Sequence, residues 1–274
     1  MFTLNQNGRS RSTRIGVHVE PEWVFMMSRN MQTYRSSGTG GAIRIVQLPF
    51  YKAKVDMLPN GVECIVATSD LQGREIGEEN RLVGEAVAEE LKLLAEIDEI
   101  PAIASILLAG DLYDYPDLRK VGGTGDVTPV WNAFARISPI VVGVHGNHDK
   151  VREADMVSNT YVLDGEIRKI LGLRIGGISG IIGREDRNQR KSERNFEKIL
   201  KNALTESTQV MLMHQGPDDP INDQMGNAMI REYMESKKGS ALVVFGHCHW
   251  DTPIIDVGNN QVLNVDNRVV VLTE

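Results

Sequence analysis

From Val62 onward, apolar runs of five to eight residues alternate with segments of helical spacing. Such runs are typical of strands in a sheet that is buried on both faces. In contrast, Leu82, Val83, Val87, Leu91 and Leu94 recur at intervals of one helical turn and predict one face of a helix. The predicted strands are 62–68, 103–110, 139–146, 171–183, 209–214 and 241–246, and the predicted helices are 78–98, 129–137, 192–204 and 226–237.

This alternation predicts an α/β fold, with a mixed sheet or two sheets lying between helices. Residues 253–274 are interpreted as short closing strands joined by turns. The pattern contains no repeat and no second domain. We predict an N-terminal extension of strands and loops over residues 1–60, packed on a single core domain at 61–274.

Within the N-terminal extension, residues 43–48 (IRIVQL) predict a strand, and the Ser/Gly-rich residues 35–42 predict a flexible loop. Residues 51–68 are interpreted as a hairpin around Pro59-Asn60-Gly61, because Asn-Gly tolerates the positive φ angles of tight turns.

Composition and charge restrict the function classes. The 274 residues carry a net charge of −7, which argues against a protein that coats duplex nucleic acid. The sequence has no apolar run long enough to span a bilayer and no secretory signal, and its two cysteines fit reduced thiols. We therefore expect a cytoplasmic protein without a membrane partner; nothing in the sequence indicates an oligomeric state.

Polar side chains that bind divalent metals follow five of the predicted strands. They are Asp70 in SDLQG, Asp111 and Asp114 in GDLYD, Asn147, His148 and Asp149 in GNHD, His214, and His247 and His249 in GHCH. Each has an ordinary explanation as turn chemistry when taken singly. Together, at strand ends that converge on one crevice, they predict a metal site.

The motifs GDLYD, GNHD and GHCH, with a strand-end histidine between the last two, resemble those of the calcineurin-like metallophosphoesterases over residues 62–272. The resemblance implies a two-sheet β-sandwich flanked by helices. It also implies two divalent metal ions and hydrolysis of phosphate mono- or diesters. Manganese is favoured here, with iron, zinc, magnesium and nickel as alternatives.

The resemblance also implies a role for each motif residue. Asp111 would bridge the two ions, Asp70 and His249 would bind the first, and Asn147, His214 and His247 the second. His148 would face the substrate as a proton or hydrogen-bond donor, and Asp114 would orient His148. Asp149 would hold the loop together.

Position 72 departs from the family pattern Asp-x-His, because Gln72 stands where the family has a histidine ligand of the first metal. An amide oxygen is a harder ligand than an imidazole nitrogen and suits manganese or magnesium rather than zinc. Gln72 could instead turn outward and leave its place to water.

We interpret the function as hydrolysis of a phosphodiester, on a small or nucleotide-type substrate. The alternatives are a phosphomonoesterase and a binding scaffold that has lost catalysis. Arg184 and Arg187 lie in a basic segment after GNHD and are candidates for a substrate phosphate, since the guanidinium fork matches phosphate oxygens. Interleaved acids favour a solvated surface at the same place.

Overall fold

The computed structural model of the protein describes residues 25–26 and 32–274. The described helices are α1 (Val83–Glu96), α2 (Thr128–Ile137), α3 (Glu193–Ala203) and α4 (Ala228–Ser236), with short 3₁₀ segments at Thr39–Gly41 and Glu153–Asp155. Within the described residues the strands are, in chain order, β1 (Phe25–Met26), β2 (Gln32–Ser37), β3 (Ile43–Leu48), β4 (Phe50–Lys54), β5 (Cys64–Ser69), β6 (Arg74–Glu75), β7 (Ile103–Leu108), β8 (Gly125–Asp126), β9 (Val141–Gly143), β10 (Asp149–Lys150), β11 (Thr160–Val162), β12 (Ile167–Ile170), β13 (Leu173–Ile178), β14 (Ile181–Ile182), β15 (Arg190–Lys191), β16 (Val210–Gln215), β17 (Leu242–Gly246), β18 (Ile254–Val257), β19 (Asn260–Asn264) and β20 (Arg268–Thr273).

Two large sheets pack face to face. In the described part of the chain, the first sheet has the strand order β1-β4-β20-β5-β7-β9-β11, and the second has the order β12-β13-β16-β17-β19-β18. One apolar cluster contains side chains from both sheets, including Ala67 and Leu107 from the first and Leu212 and Val244 from the second. The predicted two-sheet sandwich is therefore confirmed.

Helices cover both outer faces of the sandwich. The helices α1 and α2 pack on the first sheet through Val87, Leu91 and Phe134, which share one apolar cluster with its strands. On the second sheet, α3 and α4 do the same through Phe196 and Ile230. The result is four layers, in the order helix, sheet, sheet, helix.

The central strands explain why apolar runs predicted them well. In β17, Val243 and Phe245 face α3 and α4, while Leu242 and Val244 face the other sheet. Successive side chains of a strand point to opposite faces. A strand between a helical layer and a second sheet therefore needs apolar residues at every position.

The predicted hairpin over residues 51–68 is wrong. The turn itself exists, since Val62 N donates to Pro59 O at 2.9 Å and Gly61 has φ 78°. However, β4 and β5 are not neighbours, because β20 lies between them, parallel to β4 and antiparallel to β5. The C-terminal strand satisfies the backbone groups that a hairpin would have paired.

The predicted flexible loop at residues 35–42 is also wrong in its first part. Residues 35–37 belong to β2, which pairs with β3 from Gln32↔Leu48 to Ser37↔Ile43. On its other edge, β2 pairs with β6 through Tyr34↔Glu75 and Arg35↔Arg74, which makes a small three-stranded sheet. The predicted strand at residues 43–48 is confirmed as β3.

The remaining expectations concern the membrane, the thiols and the N-terminus. Among the described residues, no helix is both long and apolar enough to cross a bilayer. Cys64 is buried and Cys248 half-buried, and neither forms a disulfide. The predicted structure of residues 1–24 and 27–31 lies outside the described residues, and the division at residue 60 stays a prediction.

Candidate metal centre

The candidate site lies where the carboxyl ends of five strands meet. Asp70 follows β5, Asp111 follows the end of β7, and the GNHD loop follows β9, all in the first sheet. From the second sheet, β16 contributes His214 and β17 is followed by His247. The edge of the sandwich thus places groups from both sheets opposite one another.

Three of these residues have left-handed backbone angles at the point where their strand ends. The φ angles are 54° at Asp70, 55° at Asp111 and 69° at His247. Such angles are uncommon for residues other than glycine and cluster at functional sites. They turn the side chains out of the strand direction and toward the shared edge.

Two glycines permit the close approach of the loops. A Cβ on Gly146 would lie 2.0 Å from Asp111 Oδ1, and one on Gly246 would lie 2.1 Å from Asp70 Oδ2. Neither position therefore has room for a side chain, which explains the glycines of GNHD and GHCH physically.

Asp111, His214 and His247 form a compact group. One potential ligand atom from each residue lies within 4.8 Å of the others. Among the described residues, this is the group of histidine, cysteine and acidic side chains that is compact enough to hold a metal ion. His214 is fully buried, and its Nε2 lies 3.2 Å from Asp111 Oδ2. Its Nδ1 lies 2.8 Å from Ala109 O. A carbonyl accepts only, so Nδ1 carries the proton and Nε2 is directed at the centre.

The pKa values of these groups reflect crowded charges. Burial and the charge of the neighbouring His214 together lower the pKa of His247 to about 4. Burial opposes the charge on His214, but Asp111 raises its pKa to about 10. Burial would raise the pKa of Asp111, whereas the nearby charge of His214 holds it below the usual value. A cation is thus already favoured beside Asp111.

Two buried polar atoms of the assigned metal ligands lack partners in the described part of the chain. They are Asn147 Oδ1 and His214 Nε2, the second of which is close to Asp111 without hydrogen-bond geometry. Unpaired buried polar atoms cost free energy, and most in folded proteins are satisfied. Both are atoms that a divalent metal accepts as ligands, so the residues fit a metal ion.

Asp149 holds two loops together. Its buried carboxylate accepts hydrogen bonds from Asp111 N, Leu112 N and Gly146 N, each at 2.8 Å. This is the contact expected of a residue that fixes the loop. Burial and the charge of Asp111 raise the pKa of Asp149 to about 6.

Gln72 is directed at the centre rather than outward. Its Nε2 donates to Asp111 Oδ2 at 3.1 Å. The amide therefore lies beside the carboxylate that is expected to bridge the ions. This contact places position 72 within reach of the first metal site.

Asp70 and His249 lie outside the compact group of Asp111, His214 and His247. Asp70 Oδ2 accepts from His247 N at 2.9 Å and from Ser69 Oγ. His249 is 55% exposed and is not part of the compact group; its Nδ1 lies 2.9 Å from Asp266 Oδ2. Sequence reasoning missed Asp266, because NVDNR has the composition of an ordinary turn.

No hydrogen bond joins Asp114 to His148 among the described residues. Asp114 Oδ2 accepts from Ser37 Oγ at 3.0 Å, and its Oδ1 accepts from Tyr115 N at 2.8 Å. In the described part of the chain, His148 Nδ1 is buried without a partner. The orienting role of Asp114 therefore has no hydrogen bond behind it and stays a prediction. The carboxylate is held by Ser37 of the β2–β3 hairpin, a segment that carries no motif.

Arg184 and Arg187 are exposed, in a segment beside the GNHD loop. Asn188 connects this segment to the GNHD loop, since its Nδ2 donates to Asn147 O at 3.1 Å and to Asp149 O at 2.9 Å. Arg184 Nη2 lies 2.6 Å from Asp186 Oδ2, which neutralises part of its charge. One of the interleaved acids noted in the sequence, Asp186, is thus in contact with this arginine.

Comparison with known proteins identifies one family. The family model of the calcineurin-like phosphoesterases matches residues 65–251, more than half of the chain. No significant match was found among proteins of curated function.

Several solved structures are similar at low identity. A protein from Thermus thermophilus is 18% identical, covering 75% of this chain and 90% of its own, with a TM-score of 0.49. A phosphopantetheinyl hydrolase from Mycobacterium tuberculosis is 14% identical with the same coverages and a TM-score of 0.43. A purple acid phosphatase from yellow lupin seeds is 12% identical, covering 86% of this chain and 49% of its own, with a TM-score of 0.39.

Proposed function

The chain belongs to the calcineurin-like phosphoesterase family, and we propose that it is a metal-dependent phosphodiesterase acting on a small or nucleotide-type substrate. The observation that carries the proposal is the compact group of Asp111, His214 and His247 beside the unpaired Asn147 Oδ1. The first ion would be held by Asp70, Gln72, Asp111 and His249, and the second by Asp111, Asn147, His214 and His247. Two divalent ions, with manganese as the favoured metal, would supply Lewis-acid activation of water and charge neutralisation at phosphorus.

The protein's own residues would do the remaining work. Asp149 holds the GDLYD and GNHD loops at a fixed separation through its three backbone hydrogen bonds. The imidazole of His148 lies with Nε2 4.0 Å from Asp111 Oδ2, where it would donate to the leaving oxygen. The free thiols are in keeping with a cytoplasmic location.

The acidic net charge of the chain favours a small substrate over duplex nucleic acid. The preference for a diester over a monoester is part of the proposal, and the rates on the two kinds of ester decide it.

The direct test is hydrolysis by the metal-loaded protein of p-nitrophenyl phosphate, bis-p-nitrophenyl phosphate and cyclic nucleotides. We expect manganese-stimulated turnover, faster on the diesters. Faster turnover of the monoester would make the protein a phosphomonoesterase. If metal ions stimulate the turnover of none of these esters, the alternative of a binding scaffold without catalysis is favoured. Gln72 would then be a trace of that loss.

Replacement of Gln72 by histidine is expected to tighten the first metal site and shift its preference toward zinc or iron. An imidazole is a stronger and softer ligand than an amide, and position 72 already contacts Asp111. Titration with Mn²⁺ and Zn²⁺ by calorimetry measures both effects. Gln224→His, at an equally half-buried glutamine before α4, is the control. Unchanged affinity and preference in Gln72→His would mean that this side chain does not reach the metal.

Replacement of Arg184 and Arg187 together by alanine is expected to raise KM for a nucleotide diester while leaving bis-p-nitrophenyl phosphate hydrolysis unchanged. Both arginines belong to the segment that Asn188 ties to the GNHD loop. The control is the double replacement of Arg168 and Arg174, which are equally exposed on β12 and β13. An equal response of both substrates would show that the segment is structural.

A further inference from the structure

The first metal site has an acidic neighbour that belongs to none of the motifs. Asp266 lies in the connection between β19 and β20, where it forms an isolated parallel bridge with Ser69, the residue before Asp70. The next residue, Asn267, donates its backbone N to Ser69 O at 3.1 Å. The backbone therefore holds Asp266 beside the start of the SDLQG loop.

The side chain of Asp266 is directed at His249. The carboxylate is 13% exposed, and its Oδ2 lies 2.9 Å from His249 Nδ1. Because an ionised carboxylate only accepts hydrogen bonds, Nδ1 carries the proton and the lone pair of the neutral ring is on Nε2. This is the tautomer that a metal ligand needs if Nε2 is the donor atom.

Arg268 lies against the same ring. Its Nη2 is 3.2 Å from both His249 Nδ1 and His249 Nε2, and it donates to Trp250 O at 2.8 Å. Because the guanidinium is equally close to the two ring nitrogens, it does not select a tautomer. The contact that distinguishes Nδ1 from Nε2 is the one with Asp266.

We propose that Asp266 is a positioning residue of the first metal site, where it holds His249 as the Nδ1–H tautomer with Nε2 available as the ligand. The inference rests on the proposed function, in which His249 binds the first ion. With Gln72 in place of an imidazole, His249 is the one nitrogen ligand assigned to that ion. Its orientation and basicity therefore have more influence here than in a site with two imidazoles.

The test is a Mn²⁺ titration of Asp266→Ala, in which free Mn²⁺ is followed by electron paramagnetic resonance. We expect the first site to weaken by about 10- to 100-fold, as is usual for loss of such a partner, with the second site unchanged. Asp266→Asn keeps a hydrogen-bond acceptor without the charge, so the affinity of its first site should lie between those of the unchanged protein and of Asp266→Ala. Asp251→Ala, an exposed acid in the same loop as His249, is the control for charge alone.

A double-mutant cycle separates positioning from direct ligation. If Asp266 acts through His249, adding Asp266→Ala to His249→Ala has no further effect on the first site. Additive losses, or an unchanged first site in Asp266→Ala, would overturn the proposal. The readout is metal binding, so a protein that binds two ions but hydrolyses no ester would refute the proposed function while leaving this inference intact.

Discussion

Asp111→Asn is expected to empty both metal sites, whereas His214→Ala empties mainly the second. The carboxylate of Asp111 contacts a group assigned to each ion: its Oδ2 lies 3.2 Å from His214 Nε2 and 3.1 Å from Gln72 Nε2, while Oδ1 accepts from His148 N at 2.8 Å. It therefore lies next to both sets of assigned ligands. An amide supplies one oxygen and no charge, so it bridges two cations poorly.

Metal content per chain, measured by plasma mass spectrometry after gel filtration, should fall from two ions toward none in Asp111→Asn. It should fall toward one in His214→Ala. Hydrolysis of an activated diester should drop by roughly 10³-fold or more in Asp111→Asn, because metal ions supply several kcal/mol of transition-state stabilisation. Asp117→Asn, an exposed aspartate in the same loop, is the matched control. Equal losses of a single ion in both variants would refute the bridging role.

The fold could be predicted from the sequence where burial has a local signature. The strands β7 and β17 are apolar at nearly every position because each is covered on both faces. The spacing of Val83, Val87, Leu91 and Leu94 likewise reports the face of α1 that packs on the first sheet. In both cases, the repeat of the strand or helix itself determines which positions are buried, so the pattern is visible in the local sequence.

Strand pairing has no such signature. An Asn-Gly turn between two strand-like segments favoured a hairpin, but β20, some 200 residues further along the chain, lies between β4 and β5. Nothing in residues 50–69 encodes which strand will pair with them. Long-range pairing depends on the whole sheet rather than on the turn.

The candidate site was predictable in its chemistry and less so in its contacts. The motif residues Asp111, His214 and His247 converge because parallel strands end at one edge. However, the partners of Asp114 and His249 are Ser37 and Asp266, which come from a hairpin and a turn without motif character. Hydrogen bonds between remote segments are set by the fold, so the sequence carries no local indication of them.

His148→Ala is expected to retain both metal ions and to lower the rate of diester hydrolysis by roughly 10²- to 10⁴-fold, the usual contribution of a positioned acid–base group. The contact of His148 with Asp111 Oδ1 is made by the backbone N and survives the substitution. The side chain is separate from the group of Asp111, His214 and His247, and its ring lies against Gly122, where a Cβ would be 3.0 Å from Cε1. The imidazole therefore borders the site without holding it together.

The rate loss should depend on the leaving group. If His148 donates a proton to the departing oxygen, an alkyl ester should lose more than a p-nitrophenyl ester, whose leaving group needs no proton. Metal content and kcat for both esters are measured on the same preparation. Lys150→Ala, at an exposed position two residues along the same loop, is the control. Loss of metal from His148→Ala would show that His148 is a ligand, and a rate change below about tenfold would exclude it as the acid.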